Sequence, residues 1–184
     1  TSVDLSAAES IGDHAFLKET LTDFEVKLGS ALKTLGENPF SLCRLKPFSS
    51  VATVIFNGKE YETVIYTYDI SDTVHVIDGS LYCDVPNGME LITYAGTNDA
   101  DVKIAEGTVR ITAWAFAGLD VVRVELPQSL ASIGHKAFFD CNKLSMVVFK
   151  GYEAPNLEEE FDSTYYESYD NLPATGTYEF TMWT

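Results

Sequence analysis

The chain has 184 residues, of which 46% are apolar and 12% aromatic, enough for one domain with a substantial core and too many for a disordered chain. It carries 12 Lys and Arg against 28 Asp and Glu, and the net charge of −16 disfavours nucleic acid and anionic lipid as partners because both would be repelled. No apolar run approaches the ~20 residues of a membrane helix, so we expect no membrane insertion.

Two short blocks in residues 1–47 share one pattern, in which an aliphatic residue is followed by Phe five positions later. They are Ile11-Gly-Asp-His-Ala-Phe16 and Leu35-Gly-Glu-Asn-Pro-Phe40, 24 residues apart. Before the second block, Val26 and its neighbours alternate between apolar and polar residues, as in a strand with one buried face. We therefore predict N-terminal repeats, each made of a strand, a turn, a short extended piece and a compact turn at Phe.

Residues 48–101 depart from this pattern and predict a β-rich insert. Asn57-Gly58 separates two extended runs, and Asn87-Gly88 separates two more. Asn-Gly between extended runs is a strong hairpin signal. The insert is either a deviant repeat packed on its neighbours or a spacer between two short stacks. The lack of a Pro-, Gly- or Ser-rich linker favours the first.

The pattern returns in residues 102–151. Ile111-Thr-Ala-Trp-Ala-Phe116 and Ile133-Gly-His-Lys-Ala-Phe138 lie 22 residues apart, so the period is near 23. Before the last block, Val122, Val124 and Leu126 are expected to face inward from one strand. A single unit cannot bury its own apolar face, whereas stacked units place aliphatic residue over aliphatic residue and Phe over Phe. The repeats therefore predict a solenoid.

The run from Leu126 to Leu144 reads Leu-Pro-x-Ser-Leu-x-x-Ile-Gly-x-x-Ala-Phe-x-x-Cys-x-x-Leu and resembles the BspA-like leucine-rich repeats of bacterial surface proteins. Residues 102–151 match this pattern closely and residues 3–43 moderately. Ile77-Asp-Gly-Ser-Leu-Tyr82 resembles the hairpin insert that the family often carries. The resemblance implies a right-handed leucine-rich-repeat solenoid on an exported or cell-surface protein, with roles as adhesin or host-protein binder. We predict the fold class as β-rich α+β.

After Gly151 we expect the repeat to stop. Residues 152–184 include Glu158-Glu-Glu-Phe-Asp162 and several tyrosines, and they predict an irregular, acidic, Tyr-rich cap over the open end of the solenoid. An acidic contact surface and a weak Ca²⁺ site built from clustered carboxylates are the alternatives, although no EF-hand spacing occurs. We predict no resident cofactor or metal.

No pattern of catalytic residues stands out, so we predict that the chain is not an enzyme. Cys43 and Cys141 each lie eight positions after the aliphatic residue of a repeat, where Leu119 stands in a third, which favours an apolar plug over a reactive thiol. The three histidines lack metal-ligand spacing. Ser30-Ala-Leu-Lys33 has the SxxK spacing of acyl-transfer enzymes but lies in the extended arm of a repeat, not at a helix start.

A partner-binding surface is predicted from the outward positions of the strands and from one turn. Residues that alternate with the buried ones face outward, and stacked strands place them on a shared sheet face. Trp114 takes a turn position that is polar in the other repeats, where it either anchors an interface or packs under the insert. The candidate residues are Glu25, Lys27, Trp114, Arg123, Glu125, Met146 and Val148.

We therefore predict one domain over residues 1–184 that binds an extracellular or host protein without catalysis, as an adhesin-like module. It would be secreted or on the cell surface, with any signal or anchor outside this sequence. A structural spacer is the alternative. A third reading is a glycan-binding or hydrolytic unit with its site in the insert, where Tyr61, Tyr66, Tyr68 and Tyr82 would stack on sugars.

Overall fold

The computed structural model describes residues 2–17, 23–40, 43–96 and 98–149, together with the backbone of 156–157 and 176–179. These ranges consist of strands, turns and irregular segments, and no helix occurs in them. The α+β label is therefore wrong for the part of the chain that the structure describes. The same residues accordingly include no helix with the length and apolarity for a membrane crossing.

The turns around the repeated Phe residues are compact and not helical, because each contains a residue with left-handed backbone angles. The second residue before the repeated Phe has a positive φ in all four blocks: His14 at 53°, Asn38 at 51°, Trp114 at 62° and Lys136 at 52°. Such a residue cannot continue a right-handed helix. The chain therefore reverses within a few residues and begins the next coil.

The first strands of the coils form two sheets. β1 (Ser2–Leu5) pairs in parallel with β3 (Glu25–Leu28). The other sheet has the order β11-β13-β15-β17, in which β17 is antiparallel to β15 and the other pairs are parallel. Its strands are β11 Val102–Lys103, β13 Arg123–Leu126, β15 Met146–Phe149 and β17 Gly176–Glu179.

The second strands of the coils, together with strands of the insert, form two further sheets. β2 (Ser10–Ile11) pairs in parallel with β4 (Thr34–Leu35). The larger sheet has seven strands in the order β16-β14-β12-β10-β9-β8-β7. These are β7 Tyr68–Asp69, β8 Val74–Ile77, β9 Ser80–Val85, β10 Gly88–Thr93, β12 Thr108–Ile111, β14 Ser132–Ile133 and β16 Asn156–Leu157.

The predicted order of a strand and then a shorter strand is confirmed except in the coil of β11 and β12, where the first strand has two residues and the second four. The period of the repeat is not constant. Val3 pairs with Val26, a step of 23 residues. Ile111 pairs with Ile133, a step of 22. The strands are held in register by pairing, so differences in length fall in the turns between them.

The seven-strand sheet extends past residue 151, where we expected the repeat to stop. Leu157 of β16 pairs with Ile133, 24 residues earlier. The chain therefore adds one more parallel step. Apart from the backbone of β16 and β17, the predicted cap at 152–184 lies outside the described residues.

The repeated Phe residues stack in columns, as predicted. The rings of Phe16 and Phe40 are parallel to within 14°, with centroids 5.4 Å apart. Phe116 and Phe138 stack at 4.7 Å, and Tyr94 extends that column on the other side of Phe116 at 4.8 Å. The insert thus supplies an aromatic ring to the C-terminal column.

Two clusters of buried side chains make up the interior. The N-terminal core includes Ile11, Phe24, Leu32, Phe40, Phe48, Val74, Val76, Leu81 and Ile92. The C-terminal core includes Tyr82, Leu91, Val102, Ile111, Phe116, Val124, Ile133, Phe138 and Val147. Adjacent residues of β9 and β10 enter different clusters, so these two strands join the cores.

The insert divides into two parts. β7 to β10 belong to the large sheet, whereas β5 (Ser50–Phe56) and β6 (Lys59–Ile65) pair only with each other among the described strands. Both predicted hairpins are confirmed. Phe56 pairs with Lys59 around Asn57-Gly58, but Gly88 pairs with Val85, so the second turn lies one residue earlier than expected.

Strand alternation is correctly predicted inside β13 and wrong just before it. Val124 and Leu126 are buried, but Val122 is exposed. The strand begins at Arg123, so the period-2 pattern does not reach back to Val122. Val121 is buried in its place.

Candidate functional site

The predicted outward residues of β3 form ion pairs between neighbouring coils. Lys27 Nζ lies 3.1 Å from Asp4 Oδ2, and Lys46 Nζ lies 4.0 Å from Glu25 Oε2. Hydrogen bonds from Ser6, together with that from Lys27, lower the pKa of Asp4 to about 2. Glu25 and Lys27 therefore contribute to a ladder of charges that runs from coil to coil.

A second set of charge pairs lies on β13, which belongs to a different sheet. The Arg123 guanidinium pairs with Asp101 of the preceding coil and lies 3.0 Å from Glu125 Oε2. Hydrogen bonds to Glu125 and Asp101 raise the pKa of Arg123. Surface ion pairs of this kind each contribute less than about 1 kcal/mol to folding stability. They nevertheless pair, within the chain, the charged groups that we expected to face a partner.

Met146 and Val148 complete this face on β15. They pair in register with Arg123 and Glu125 on one side, and both side chains are half-buried. Val147 and Phe149 point inward as predicted. The structure thus brings Arg123, Glu125, Met146 and Val148 together, places Glu25 and Lys27 on a separate sheet, and leaves Trp114 on a turn.

Trp114 packs on the next coil, which neither sequence-based alternative anticipated. Its ring lies 5.2 Å from that of Phe139 and 6.1 Å from that of His135. Lys136 Nζ lies 5.5 Å from the centre of the indole. The half-buried Trp114 is therefore held by the following turn.

The hairpin formed by β5 and β6 is the most exposed apolar element of the described chain, and our predicted surface did not include it. Nine large apolar side chains are exposed among the described residues, and seven of them lie between positions 51 and 66. Ile55 is 69% exposed and Phe56 66%. The others are Val51, Val54, Tyr61, Val64 and Tyr66.

The hairpin turn follows directly from its sequence. Asn57 has φ 49° and Gly58 φ 72°, so both central residues of this two-residue turn are left-handed. This is the type I′ turn, which Asn-Gly favours and whose twist matches the flanking strands. The register then runs without a bulge from Phe56–Lys59 to Ser50–Ile65.

The register assigns the side chains of the hairpin to two faces, since directly opposed residues share a face and neighbours alternate. One, which we call the acidic face, combines exposed aliphatic residues with two glutamates. It consists of Val51, Thr53, Ile55, Glu60, Glu62 and Val64. The other, the aromatic face, consists of Ser50, Ala52, Val54, Phe56, Lys59, Tyr61, Thr63 and Ile65.

The tyrosines of the insert do not form one platform for sugars. Tyr61 and Tyr66 are exposed and Tyr68 is half-buried, but Tyr82 is only 3% exposed. Burial raises the pKa of Tyr82 to about 12. Tyr82 belongs to the C-terminal core, so its predicted role in stacking on a ligand is wrong.

A histidine between two carboxylates ties β8 to its neighbouring strands. His75 Nδ1 lies 2.7 Å from Asp69 Oδ1, and Nε2 lies 3.2 Å from Asp84 Oδ2. Partial burial lowers the pKa of His75, but the hydrogen bonds to Asp69 and Asp84 outweigh burial and raise the pKa above its ordinary value. Across the described ranges, no three His, Cys, Asp or Glu side chains are grouped to hold a metal ion.

The repeated cysteines make contacts typical of structural residues. Cys43 Sγ lies 2.8 Å from the carbonyl oxygen of Phe16, and Cys141 Sγ lies 3.1 Å from that of Phe116. Each thiol thus bonds to the Phe of the preceding coil. Burial raises the pKa of Cys141 to about 12, which suppresses the thiolate that a nucleophile needs.

Stacked coils of paired strands, with an aliphatic and an aromatic column inside, define a leucine-rich-repeat β-solenoid. The sequence model of the BspA type leucine rich repeat region matches this chain in six copies, over residues 1–85 and 89–173. The chain belongs to this family. A search of curated proteins found no match in sequence.

Two solved structures resemble this fold. The pneumococcal vaccine antigen PcpA is 21% identical, with a TM-score of 0.53 over 79% of this chain and 38% of its own. A leucine rich cell surface protein from Faecalibacterium prausnitzii A2-165 is 23% identical, with a TM-score of 0.58 over 84% of this chain and 43% of its own. This chain therefore spans about two fifths of the length of each, and at this identity the likeness concerns the fold alone.

Proposed function

We propose that this chain is a non-enzymatic protein-binding module of a secreted or cell-surface bacterial protein, with an adhesin-like role. Its family and the surface protein among its structural neighbours support that location. The partner would be an extracellular or host protein. The single observation that carries the proposal is the exposed hairpin of β5 and β6.

The hairpin needs a physical explanation because it is unfavourable by itself. An isolated two-stranded hairpin is marginally stable in water, and grouped exposed apolar side chains on a soluble protein mark interaction sites. Ile55, Phe56 and Tyr61 are each more than half exposed. A protein partner that covers them would remove this apolar area from water.

The test is binding of the full chain to a panel of immobilised extracellular-matrix and plasma proteins, measured by biolayer interferometry. Replacing both Ile55→Lys and Phe56→Ser should weaken binding at least about tenfold, or ~1.4 kcal/mol. The melting temperature should hardly change, because both side chains are exposed. Leu17→Lys is the matched control, since Leu17 is an exposed apolar residue outside the hairpin and its replacement should leave binding intact.

The outward face of β13 and β15 remains a second proposed contact. Glu25, Lys27, Arg123 and Glu125 are engaged in pairs between or within coils, so Met146 and Val148 are its apolar part. Met146→Asp should weaken binding if this face contributes. Loss of affinity with this variant alone would assign the contact to the coil face, and no binding to any panel member would favour the spacer role.

A further inference from the structure

Within the part of the chain that the structure describes, the outer edge of β5 presents backbone groups at alternate positions that pair with no other strand. In a two-residue hairpin the pair next to the turn exchanges both hydrogen bonds, and pairs then alternate between bonded and non-bonded. Phe56–Lys59 is that first pair, so Val54–Tyr61 is bonded and Thr53–Glu62 is not. The N–H and C=O groups of Val51, Thr53 and Ile55 therefore point away from β6.

The two edges of this hairpin differ in how they are protected. Proteins guard exposed edges with charged residues, proline, bulges or short strands. β6 carries Lys59, Glu60 and Glu62, whereas the seven residues of β5 include no charge and no proline. Its register shows no bulge. β5 is therefore an open template for a further strand, and β6 is not.

We propose that an extended segment of a partner protein adds to the outer edge of β5 as a third strand. This inference rests on the proposed protein-binding function and specifies its mode and its partner. The backbone groups of Val51, Thr53 and Ile55 supply the hydrogen bonds, as in β-strand addition generally. The side chains on the two hairpin faces then select the segment.

The charges of the chain determine the chemistry of that segment. A second copy of this chain is repelled by its net charge of −16, whereas a basic segment is attracted. An added strand would lie about 10 Å from β6, within joint reach of a lysine and a glutamate side chain. Glu60 and Glu62 favour Lys or Arg on the acidic face, and Val54 and Phe56 favour apolar residues on the aromatic face. The partner strand therefore alternates basic and apolar residues.

Hydrogen exchange of the full chain tests this pairing directly. The probe is a synthetic peptide of alternating lysine and valine with the seven-residue length of β5. On binding, the amides of Val51, Thr53 and Ile55 should become protected, while those of Ala52 and Val54, already bonded to β6, should change little. Unchanged exchange at the three edge amides, or protection at Glu60 and Glu62 instead, would overturn the proposal.

Two proline variants at directly opposed positions separate the edges. Thr53 and Glu62 form a non-bonded pair, so proline at either removes an outward N–H but no hydrogen bond of the hairpin. Thr53→Pro should weaken peptide binding at least about tenfold, and Glu62→Pro should leave it within about twofold. Protection of the Val54 amide verifies that each hairpin still forms. Equal effects of the two variants would contradict edge-specific addition.

The other occupants give distinct results. The chain alone should sediment as a monomer, and a dimer that Thr53→Pro abolishes would assign the edge to a second copy. Equal binding of a matched glutamate–valine peptide would refute the role of charge. Co-sedimentation with phosphatidylcholine vesicles that Thr53→Pro abolishes would assign the edge to a lipid surface.

The panel of immobilised proteins separates failure of strand addition from failure of the proposed function. If panel proteins bind and Thr53→Pro has no effect, strand addition is wrong while the proposed function stands. If no panel protein binds, the proposed function itself is wrong.

Discussion

Glycine lets neighbouring coils approach closely at one recurring position. A Cβ placed on Gly134 would lie 2.4 Å from the backbone nitrogen of Ala113, closer than real Cβ atoms come. Gly36 meets the backbone of Asp13 in the same way, at 2.3 Å. Gly12 holds the same position in its block, yet a Cβ there would meet nothing within 4 Å. At Gly36 and Gly134 the requirement for glycine thus comes from the preceding coil, whereas Thr112 takes the same position of its block.

We expect Gly134→Ala to cost about 1–3 kcal/mol, because the added methyl group must push two hydrogen-bonded coils apart. Gly12→Ala is the matched control and should be neutral or stabilise by up to about 1 kcal/mol through the unfolded state. Urea unfolding of the two variants and the parent chain measures both values. Similar losses for both would mean that the glycine serves the local turn instead of the contact between coils.

The stacking of the Phe residues could be predicted from sequence because the same contact recurs between equivalent residues of successive coils. Phe116 stacks on Phe138 for the same reason that Phe16 stacks on Phe40, since each coil places its ring over the ring of the preceding coil. The packing of Trp114 could not be predicted in this way. It depends on Phe139, a single residue of the next coil that the other repeats replace with Leu, Ser or Ala.

At the scale of the element, His75 makes the three-strand unit of β7, β8 and β9 sensitive to pH. Its ring bridges Asp69 on β7 and Asp84 on β9, and its pKa is raised by these hydrogen bonds despite the opposing effect of burial. The folded chain therefore holds the proton more tightly than the unfolded chain. The resulting stabilisation is complete below the ordinary His pKa of about 6.5 and is lost as pH rises through the higher folded value.

The difference in unfolding free energy between the parent chain and His75→Gln should accordingly be larger near pH 5.5 than near pH 8.5. Because Asp69 and Asp84 are largely exposed, we expect a change of no more than about 1 kcal/mol. Urea unfolding of both proteins at both pH values measures this difference. The pH-dependent contributions of the titratable groups that the two proteins share cancel in it. Asp69→Asn should remove part of the dependence. A difference that stays constant with pH would show that His75 is not protonated in this setting.

The turn of the β5–β6 hairpin could be predicted from sequence, but its exposure could not. Asn57-Gly58 determines the turn locally through two positive φ angles. The run Val54-Ile55-Phe56 reads equally well as a strand buried on both faces, because periodicity does not distinguish a buried run from an exposed one. Exposure depends on what packs against the element, and in the described chain β5 pairs with β6 alone.

At the scale of the molecule, the repeat predicts stacking but not how the insert is incorporated. Hydrophobic pattern identified the coils because every coil must bury the same face. The insert breaks that pattern, and only tertiary contacts show that β7 to β10 complete the large sheet while Tyr94 joins the Phe column. The sequence therefore left open whether the chain is one stack or two.

The contacts favour one cooperative unit. Leu81 enters the N-terminal core and the adjacent Tyr82 the C-terminal core. Arg44, beside the N-terminal core, donates to the carbonyl of Gly118 at 3.1 Å and lies 3.4 Å from Asp120. In a solenoid each coil is stabilised by its neighbours, so strands shared by both cores transmit a loss of stability from one to the other.

Phe40→Ala should therefore destabilise the C-terminal coils as well as its own. Phe40 is 1% exposed, and its removal should cost about 3–5 kcal/mol. In a Trp183→Phe background, Trp114 fluorescence reports on the C-terminal coils while far-UV circular dichroism reports on all strands. The two urea transitions should coincide in the parent and shift together to lower urea in the variant. An unshifted Trp114 transition beside a split circular dichroism curve would instead mean that β9 and β10 separate two independent stacks.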